Sequence, residues 1–237
     1  MEIQQFYNQN QFPGMYTIED FNNYGDDIEN PYLNIIDKHL GDDITVLDAG
    51  CGTGLITNLF AYRHPTNKFV AVDFADSIDY ARQFSKTNNI NNTKFIKQNL
   101  LEHTSKKQFD VVICQGVLHH IPDWHTAFNQ LKTLVKPNGK LILGLYHPWG
   151  KIFKKFLKID YKNNVLYKDQ ELVPYEISFS FNEVQSMTQG FNLIDFAPTR
   201  TLNSIAISAL FNYRNGGLVT YILEKNNEFF KINLVKN

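Results

Sequence analysis

Cysteine is nearly absent from this sequence, and its scarcity excludes several kinds of site. The chain of 237 residues contains two cysteines, Cys51 and Cys114. Two thiols cannot form a four-cysteine zinc site or a three-cysteine iron–sulfur motif, and we predict no metal site. Because disulfide-stapled secreted proteins are rich in cysteine, we expect a reduced, cytoplasmic setting.

The sequence also lacks a strong net charge and a long apolar run. The formal net charge is -1, so there is no basic field to attract nucleic acid, and we do not expect nucleic acid as a partner. No apolar run approaches the roughly 20 residues that a membrane span needs. The first residues, MEIQQFYNQN, contain no basic region followed by an apolar one, so we expect no signal peptide.

Apolar residues are plentiful, and their pattern predicts the fold class. Hydrophobic residues make up 43% of the chain, which is enough for the core of one large domain. From residue 44 to residue 146, apolar strand patterns alternate with amphipathic helix patterns. This alternation predicts an α/β fold with a parallel sheet, right-handed crossovers and helices on both faces. The predicted strands are 44–50, 68–74, 93–100, 109–116 and 140–146, followed by 191–199 and 218–225.

Local signals place helix ends within this pattern. Asp123 is predicted to cap a helix, and the stretch KPNG at 136–139 is predicted to end it. The stretch SFNE at 180–183 predicts a capping box at the start of a second helix. Gly190 suits the left-handed position that follows that helix.

We expect one domain, 1–237, with segments of different function. Residues 44–146 form the predicted cofactor-binding core, and residues 1–43 a cap or lid over the carboxyl edge of the sheet. Residues 147–180 and 200–217 are predicted substrate-side insertions. The lysine-rich stretch KIFKKFLKIDYK within the first insertion has three open interpretations: a solvated basic helix face, a lid over the substrate, or a dock for an acidic partner, a membrane surface or RNA.

The stretch VLDAGCGTGL, residues 46–55, places three glycines at alternate positions directly after a buried strand. Gly50, Gly52 and Gly54 follow the carboxyl end of that strand, where ligands bind in open parallel sheets. Glycine there permits positive φ and lets a ligand touch the backbone. The spacing differs from the dinucleotide fingerprint G-x-G-x-x-G, because Gly54 comes one residue too early. The loop therefore predicts a ligand site and disfavours a nicotinamide-dependent oxidoreductase.

Two acidic residues accompany this loop. A carboxylate at Asp48, just before the glycines, would repel a pyrophosphate and attract a cation. Asp73 ends the second strand, the usual place for an acid that accepts hydrogen bonds from ribose hydroxyls. The loop itself contains no basic residue. These features predict a nucleoside with a positive, phosphate-free group, and S-adenosylmethionine fits that description.

At this point the chain resembles a known family, the class I S-adenosylmethionine-dependent methyltransferases, and most closely its small-molecule members. The resemblance covers residues 44–146, and several motifs in order make it specific. It implies a Rossmann-like sheet of seven strands in the order 3-2-1-4-5-7-6, with strand seven antiparallel. The motifs are VLDAGCGTG, VAVDFADSIDYAR, FDVVICQGVLHHIPD and LKTLVKPNGKLILGLYHP.

The resemblance also implies roles for individual residues. Phe74 would stack near the adenine, and Gln115 would place its backbone near the methionine amino group. Asn99 stands where the family often has Asp, and its amide oxygen can still accept a bond from the adenine amino group. The cofactor-binding residues implied are Asp48, Ala49, Gly50, Cys51, Gly52, Gly54, Asp73, Phe74, Asn99, Leu100 and Gln115.

Three histidines are candidates for a general base. His119 and His120 follow the fourth strand and His147 follows the fifth, next to the expected methyl position. Imidazole titrates near working pH, but a base is needed only if the acceptor must lose a proton. Each histidine could instead be structural.

The sequence thus predicts methyl transfer from S-adenosylmethionine to a small organic acceptor at oxygen, nitrogen or carbon, with S-adenosylhomocysteine as product. Two alternatives stay open: methylation of tRNA or of a protein side chain, and an inactive partner subunit that binds the cofactor. We expect a monomer or homodimer. The acceptor itself is not readable from the sequence.

Overall fold

The structure is a computed structural model, and it describes residues 2–23, 31–102, 107–149, 172–197 and 217–226. The interpretations offered for the lysine-rich stretch 151–162 lie outside these residues. The predicted insertion at 200–217 lies outside them as well, except for Gly217.

A single mixed sheet of seven strands organises the described part of the chain. The strand order is β3-β2-β1-β4-β5-β7-β6, and the pairs formed by β7 are antiparallel, which confirms the predicted fold class. The strands are β1 (Thr45–Ala49), β2 (Lys68–Asp73), β3 (Thr93–Lys97), β4 (Phe109–Gln115), β5 (Val135–Tyr146), β6 (Phe191–Ala197) and β7 (Leu218–Lys225).

Within the described residues, three helices precede β1, four more lie between later strands, and two single 3₁₀ turns follow β3 and β4. The helices are α1 (Ile3–Gln9), α2 (Asp20–Asn23), α3 (Pro31–His39), α4 (Leu55–Arg63), α5 (Ser77–Thr87), α6 (Trp124–Leu134) and α7 (Phe181–Met187). The 3₁₀ turns span Leu100–Glu102 and Leu118–His120. Every predicted strand has its counterpart in the sheet.

Apolar side chains cover both faces of the central strands. Leu47 on β1 belongs to one core layer, while its neighbour Val46 belongs to the other, and both are fully buried. This explains the continuous apolar pattern of β1, since a parallel strand covered on both sides has no polar face.

The junction between α6 and β5 differs from the prediction. The stretch 136–139 was predicted to end the helix, but α6 already ends at Leu134 and these residues belong to β5. Val135 pairs with Phe109, and the register shifts before the next pair, which starts at Val111. Asn138 has a positive φ of 59°. The turn-forming residues therefore make an irregularity within the strand, because pairing with β4 takes over where the helix stops.

Both predicted helix caps are present. The Asp123 carboxylate accepts a hydrogen bond from the Thr126 amide at 3.3 Å. Ser180 and Glu183 form the reciprocal capping box at the start of α7, and Gly190 has the expected positive φ of 91°.

The residues before β1 lie in two different places. Residues 2–18 lie at the carboxyl edge of the sheet, where the Phe12 carbonyl accepts a bond from the Thr53 amide. α3 packs against β6 and β7, and Lys38 and His39 at its end both contact the buried carboxylate of Asp195 at 2.9 Å. None of the helices within the described ranges is long and apolar enough to cross a membrane.

Candidate active site

The glycine loop between β1 and α4 has the backbone conformation that its composition predicts. Gly50, Gly52 and Gly54 have φ values of 84°, 55° and 77°, all in the left-handed region that favours glycine. Contacts within the chain add a second constraint. A Cβ at Gly50 would collide with the side chain of Val117, and a Cβ at Gly52 would collide with the Phe12 carbonyl oxygen. The glycines are thus required by the protein itself, besides any ligand.

The amides of this loop all have acceptors inside the protein. Gly50 and Cys51 both donate to the Val72 carbonyl, at 2.8 and 3.1 Å. Gly52 donates to the Asp73 carboxylate at 2.7 Å. The last two donors are Thr53, which donates to Phe12 O, and Gly54, which donates to Cys51 O. A pyrophosphate needs a cradle of unused amides, and this loop does not offer one.

Asp73 is held rigidly at the end of β2. One carboxylate oxygen accepts from Gly52 and the other accepts from the Ala75 amide at 2.8 Å. Burial raises the pKa of this carboxyl, and the amides of Ala75 and Gly52 partly oppose that effect. The Phe74 amide donates to this carboxylate as well, and a carboxylate has about four lone-pair directions, so capacity for about one further donor is left.

Asp48 lies beneath the loop and is only 2% exposed. Its carboxylate accepts a bond from the Thr57 hydroxyl at 2.6 Å and another from the Thr57 amide in the first turn of α4. Burial raises its pKa to about 7, and the nearby charge of Asp73 contributes to the increase. Asp48 therefore anchors a helix end and also places a negative charge that a buried cation would stabilise.

A cavity of about 220 Å³ lies over the carboxyl ends of β1, β2 and β4. It brings together several residues that the sequence singles out, namely Gly50, Gly52, Asp73, Phe74, Asn99, Leu100, Gln115 and His120. Residues from four separate stretches of the chain thus meet in one space, as expected for the carboxyl edge of a parallel sheet.

A second cavity of about 110 Å³ continues from the first on the side of β5. It is lined by Asp48 and Cys51, and it shares Gly50, Gly52 and Gln115 with the larger cavity. Most of its remaining wall is apolar. Among the described residues, neither cavity is lined by a lysine or an arginine, whereas each is lined by an aspartate.

Two predicted cofactor residues, Ala49 and Gly54, line neither cavity. Ala49 is fully buried in the core, and Gly54 lies against α5, where a Cβ would meet Ala81. Both residues therefore pack against the protein interior and contribute to the shape of the loop. Asn99 does line the larger cavity, and its side-chain oxygen accepts from the Leu101 amide at 3.0 Å.

The structure separates the three candidate histidines. His120 lines the larger cavity, and its Nδ1 lies 3.1 Å from the Tyr175 carbonyl oxygen. A carbonyl only accepts, so Nδ1 carries a proton, and in the neutral imidazole the nitrogen without a proton is Nε2. This is the tautomer that a general base at Nε2 requires.

His119 and His147 line neither cavity. His119 is fully buried, with its ring 4.0 Å from that of Tyr146. His147 accepts a bond at Nδ1 from the Trp149 amide at 3.3 Å, and burial lowers its pKa. Packing and backbone bonding account for the placement of both residues.

Several cavity residues were not identified from the sequence. Tyr7 and Phe12 come from the segment before the core, and Val117 comes from the turn after β4. The expected cap at residues 1–43 and the motif FDVVICQGVLHHIPD cover these positions, but neither indicates which side chain points into the cavity. Within the described ranges, no cluster of three or more His, Cys, Asp or Glu residues could hold a metal ion.

Comparison with known proteins identifies the family. A sequence profile described as a methyltransferase domain matches residues 40–205, more than half of the chain. The chain belongs to this methyltransferase domain family.

Individual relatives of this methyltransferase domain differ in what they act on. The ubiquinone biosynthesis O-methyltransferase of Rickettsia bellii is 35% identical over 118 residues, which cover 48% of this chain and 48% of that protein. The tRNA U34 carboxymethyltransferase of Ruthia magnifica is 34% identical over 105 residues, covering 43% of this chain and 32% of that protein. The chain thus spans about half or less of the length of these curated relatives.

A solved structure shares the fold of this methyltransferase domain. The 1,6-didemethyltoxoflavin-N1-methyltransferase of Burkholderia thailandensis, solved with 1,6-didemethyltoxoflavin and S-adenosylhomocysteine bound, superposes with a TM-score of 0.58 at 18% identity. The match covers 84% of this chain and 79% of that chain. Together with the strand order, it confirms the class I S-adenosylmethionine-dependent methyltransferase fold that the motifs predict.

The buried carboxyl of this methyltransferase makes folding stability depend on pH. Burial in the folded protein raises the pKa of Asp48 from its ordinary value of 3.8 to about 7. The stability that comes from its neutral form is present below pH 3.8 and is lost as the pH rises through about 7. Between about pH 5 and pH 8, the free energy of unfolding of wild type should fall by about 3 kcal/mol relative to that of Asp48→Asn.

Urea unfolding at several pH values measures this difference. The asparagine oxygen still accepts from the Thr57 hydroxyl, so the variant isolates the charge. Parallel stability curves for the two proteins would show that Asp48 does not titrate in this range.

Proposed function

We propose that this chain transfers a methyl group from S-adenosylmethionine to a small organic acceptor. The observation that carries the proposal is the larger cavity, where the glycine loop, the Asp73 carboxylate and His120 face one space. The family membership and the loop amides that are already bonded within the protein support a phosphate-free cofactor. The sulfonium supplies an activated methyl group when the cofactor is bound.

The residues fit the different parts of that cofactor. The remaining acceptor capacity of Asp73 would take a bond from a ribose hydroxyl. Phe74, Asn99 and Leu100 would hold the adenine, with the Asn99 oxygen still able to accept a second bond. Asp48 would face the positive end through the smaller cavity, and Gln115 would line the methionine part.

The protein's remaining task is to align the acceptor and exclude water. For an acceptor that must lose a proton, His120 Nε2 would take it, because the Tyr175 carbonyl holds the proton on Nδ1. Residues 172–180 support this geometry: the Ile177 amide donates to His119 O, and the Phe179 amide donates to Tyr146 O. We infer that residues 147–180 and 200–217 complete the acceptor side.

The cavity walls and the two cysteines bear on the class of acceptor and on the cellular location. The described cavity walls are apolar and acidic, which favours a neutral or cationic small molecule over nucleic acid. Both cysteines are buried unpaired thiols, in keeping with the cytoplasmic location that we infer.

The role proposed for Asp73 can be tested by binding. Asp73→Asn places an amide group against the amide donors of Gly52 or Ala75 and removes the charge. We expect calorimetry to show S-adenosylhomocysteine binding at micromolar concentration in wild type, and binding at least tenfold weaker in the variant.

Asp79→Asn is the matched control for this measurement. Asp79 is an exposed aspartate on α5 that pairs with Arg82, away from both cavities. This control should bind like wild type. Equal affinity of Asp73→Asn and wild type would contradict the ribose assignment, and no binding by wild type would contradict the methyltransferase proposal.

The role proposed for His120 can be tested by turnover. A panel of small phenols and amines is screened for release of S-adenosylhomocysteine, and an accepted compound is then used with variants. For a phenol, His120→Gln should lower kcat by about 10²–10⁴-fold, the usual contribution of general base catalysis. Affinity for S-adenosylhomocysteine should change little.

His147→Gln serves as the comparison, since His147 is buried but lines neither cavity. It should retain most of the turnover. Equal losses in the two variants would indicate a general loss of structure and would refute a specific role for His120.

A further inference from the structure

The first residues of the chain cover the proposed cofactor site. We call residues 2–18 the N-terminal strap. Its residues Ile3, Tyr7 and Phe12 line the larger cavity, and Phe12 and Pro13 line the smaller one. A cofactor on the glycine loop would therefore lie beneath the strap.

Thr53 in the glycine loop fastens the strap through three hydrogen bonds. Its amide donates to the Phe12 carbonyl at 3.0 Å, and its hydroxyl donates to the Gly14 carbonyl at 2.9 Å. Its own carbonyl accepts from the Tyr16 hydroxyl, also at 2.9 Å. All three polar groups of a fully buried threonine are thus bonded to the strap.

Tyr16 secures the end of the strap. Its hydroxyl accepts from the Asn58 side chain at 2.9 Å while donating to Thr53. Its backbone exchanges two bonds with the Tyr80 hydroxyl, which donates to Tyr16 O at 2.6 Å and accepts from Tyr16 N at 3.1 Å. Burial raises the pKa of the Tyr16 hydroxyl, so it remains a neutral donor.

Two further hydrogen bonds of the strap are exposed to water. Gln4 donates to the Phe74 carbonyl at 2.8 Å, and Asn8 accepts from the Asp76 amide at 2.9 Å. Hydrogen bonds of this kind compete with solvent and contribute little to stability. Among these hydrogen bonds, the buried ones of Thr53 and Tyr16 therefore contribute most to holding the strap.

We propose that Thr53 and Tyr16 form a latch that controls entry and exit of the cofactor. This inference rests on the proposed function, because it assumes that the cofactor lies in the cavities beneath the strap. The hydrogen bonds of Thr53 and Tyr16 hold the strap against the glycine loop. Cofactor then enters only the fraction of molecules in which the latch is open, and it leaves only when the latch opens again.

This arrangement has a kinetic signature. Weakening the latch raises the open fraction of the free protein and the opening rate of the bound protein together. Association and dissociation both accelerate, while the ratio that defines Kd changes less than either rate. A residue that simply contacts the cofactor would change the dissociation rate and leave association unaltered.

The test uses the full chain with S-adenosylhomocysteine as the probe in stopped-flow binding. Thr53→Val removes the hydroxyl bond to Gly14 and keeps the backbone bonds. Tyr16→Phe removes the bond to the Thr53 carbonyl. We expect each variant to increase both rate constants about tenfold, the effect of one buried hydrogen bond. Exchange of the residue 53 amide should accelerate similarly without ligand, since this amide bonds to the strap.

Two variants serve as controls. Thr53→Ser keeps the hydroxyl and should behave like wild type. Thr188→Val removes a comparable buried hydroxyl bond, to Val184 O at 2.8 Å in α7. It should lower the melting temperature without changing either rate constant.

The possible results distinguish failure of the latch proposal from failure of the proposed function. Unchanged rate constants in Thr53→Val and Tyr16→Phe would overturn the latch, as would faster dissociation with unaltered association. Failure of wild type to bind S-adenosylhomocysteine would instead overturn the proposed function and, with it, control of cofactor exchange.

Discussion

The site depends on how the end of β2 holds the loop that follows β1. The Val72 carbonyl accepts two amides of the glycine loop, and the Asp73 carboxylate accepts a third. These bonds turn the loop away from the strand and open the crevice at the carboxyl edge. They also consume the amides that could have bound a phosphate. One set of bonds therefore fixes the shape of the site and the class of nucleotide that suits it.

Electrostatics at the site follow from burial. Asp48 and Asp73 both have raised pKa values because their carboxyls are removed from water, and no lysine or arginine among the described lining residues offsets them. A cationic ligand would restore the missing counter-charge. Asp48 also anchors the first turn of α4 through Thr57, so the same carboxylate supports the fold and the charge preference of the cavity.

More than one constraint requires glycine at positions 50 and 52. The sequence indicates a close approach by a ligand, and the structure adds contacts that the protein makes with itself. Val117 lies against Gly50 and the Phe12 carbonyl lies against Gly52, so side chains at these positions would displace the turn after β4 and the strap. The strap and the loop are consequently shaped for each other, which is the basis for a coupling between cofactor exchange and strap opening.

The local sequence pattern predicted the fold well, because the features that determine strands and helix starts lie close together in the chain. The apolar period places the strands, caps such as Asp123 and Ser180 mark helix starts, and the motif order implies the strand order. The same information put Asp73, Phe74 and His120 at one sheet edge, since the carboxyl ends of parallel strands converge. It misjudged the end of α6, because pairing of Val135 with Phe109 is a long-range contact.

The sequence by itself determined the sheet, the glycine turn and the acids that accompany it, because each arises from residues close together in the chain. Only the tertiary structure decided that His120 lines the cavity while His119 and His147 do not, and that Thr53 bonds to a segment about 40 residues earlier. Those outcomes depend on which side chains meet across the fold, and such contacts leave no period or spacing in a single sequence.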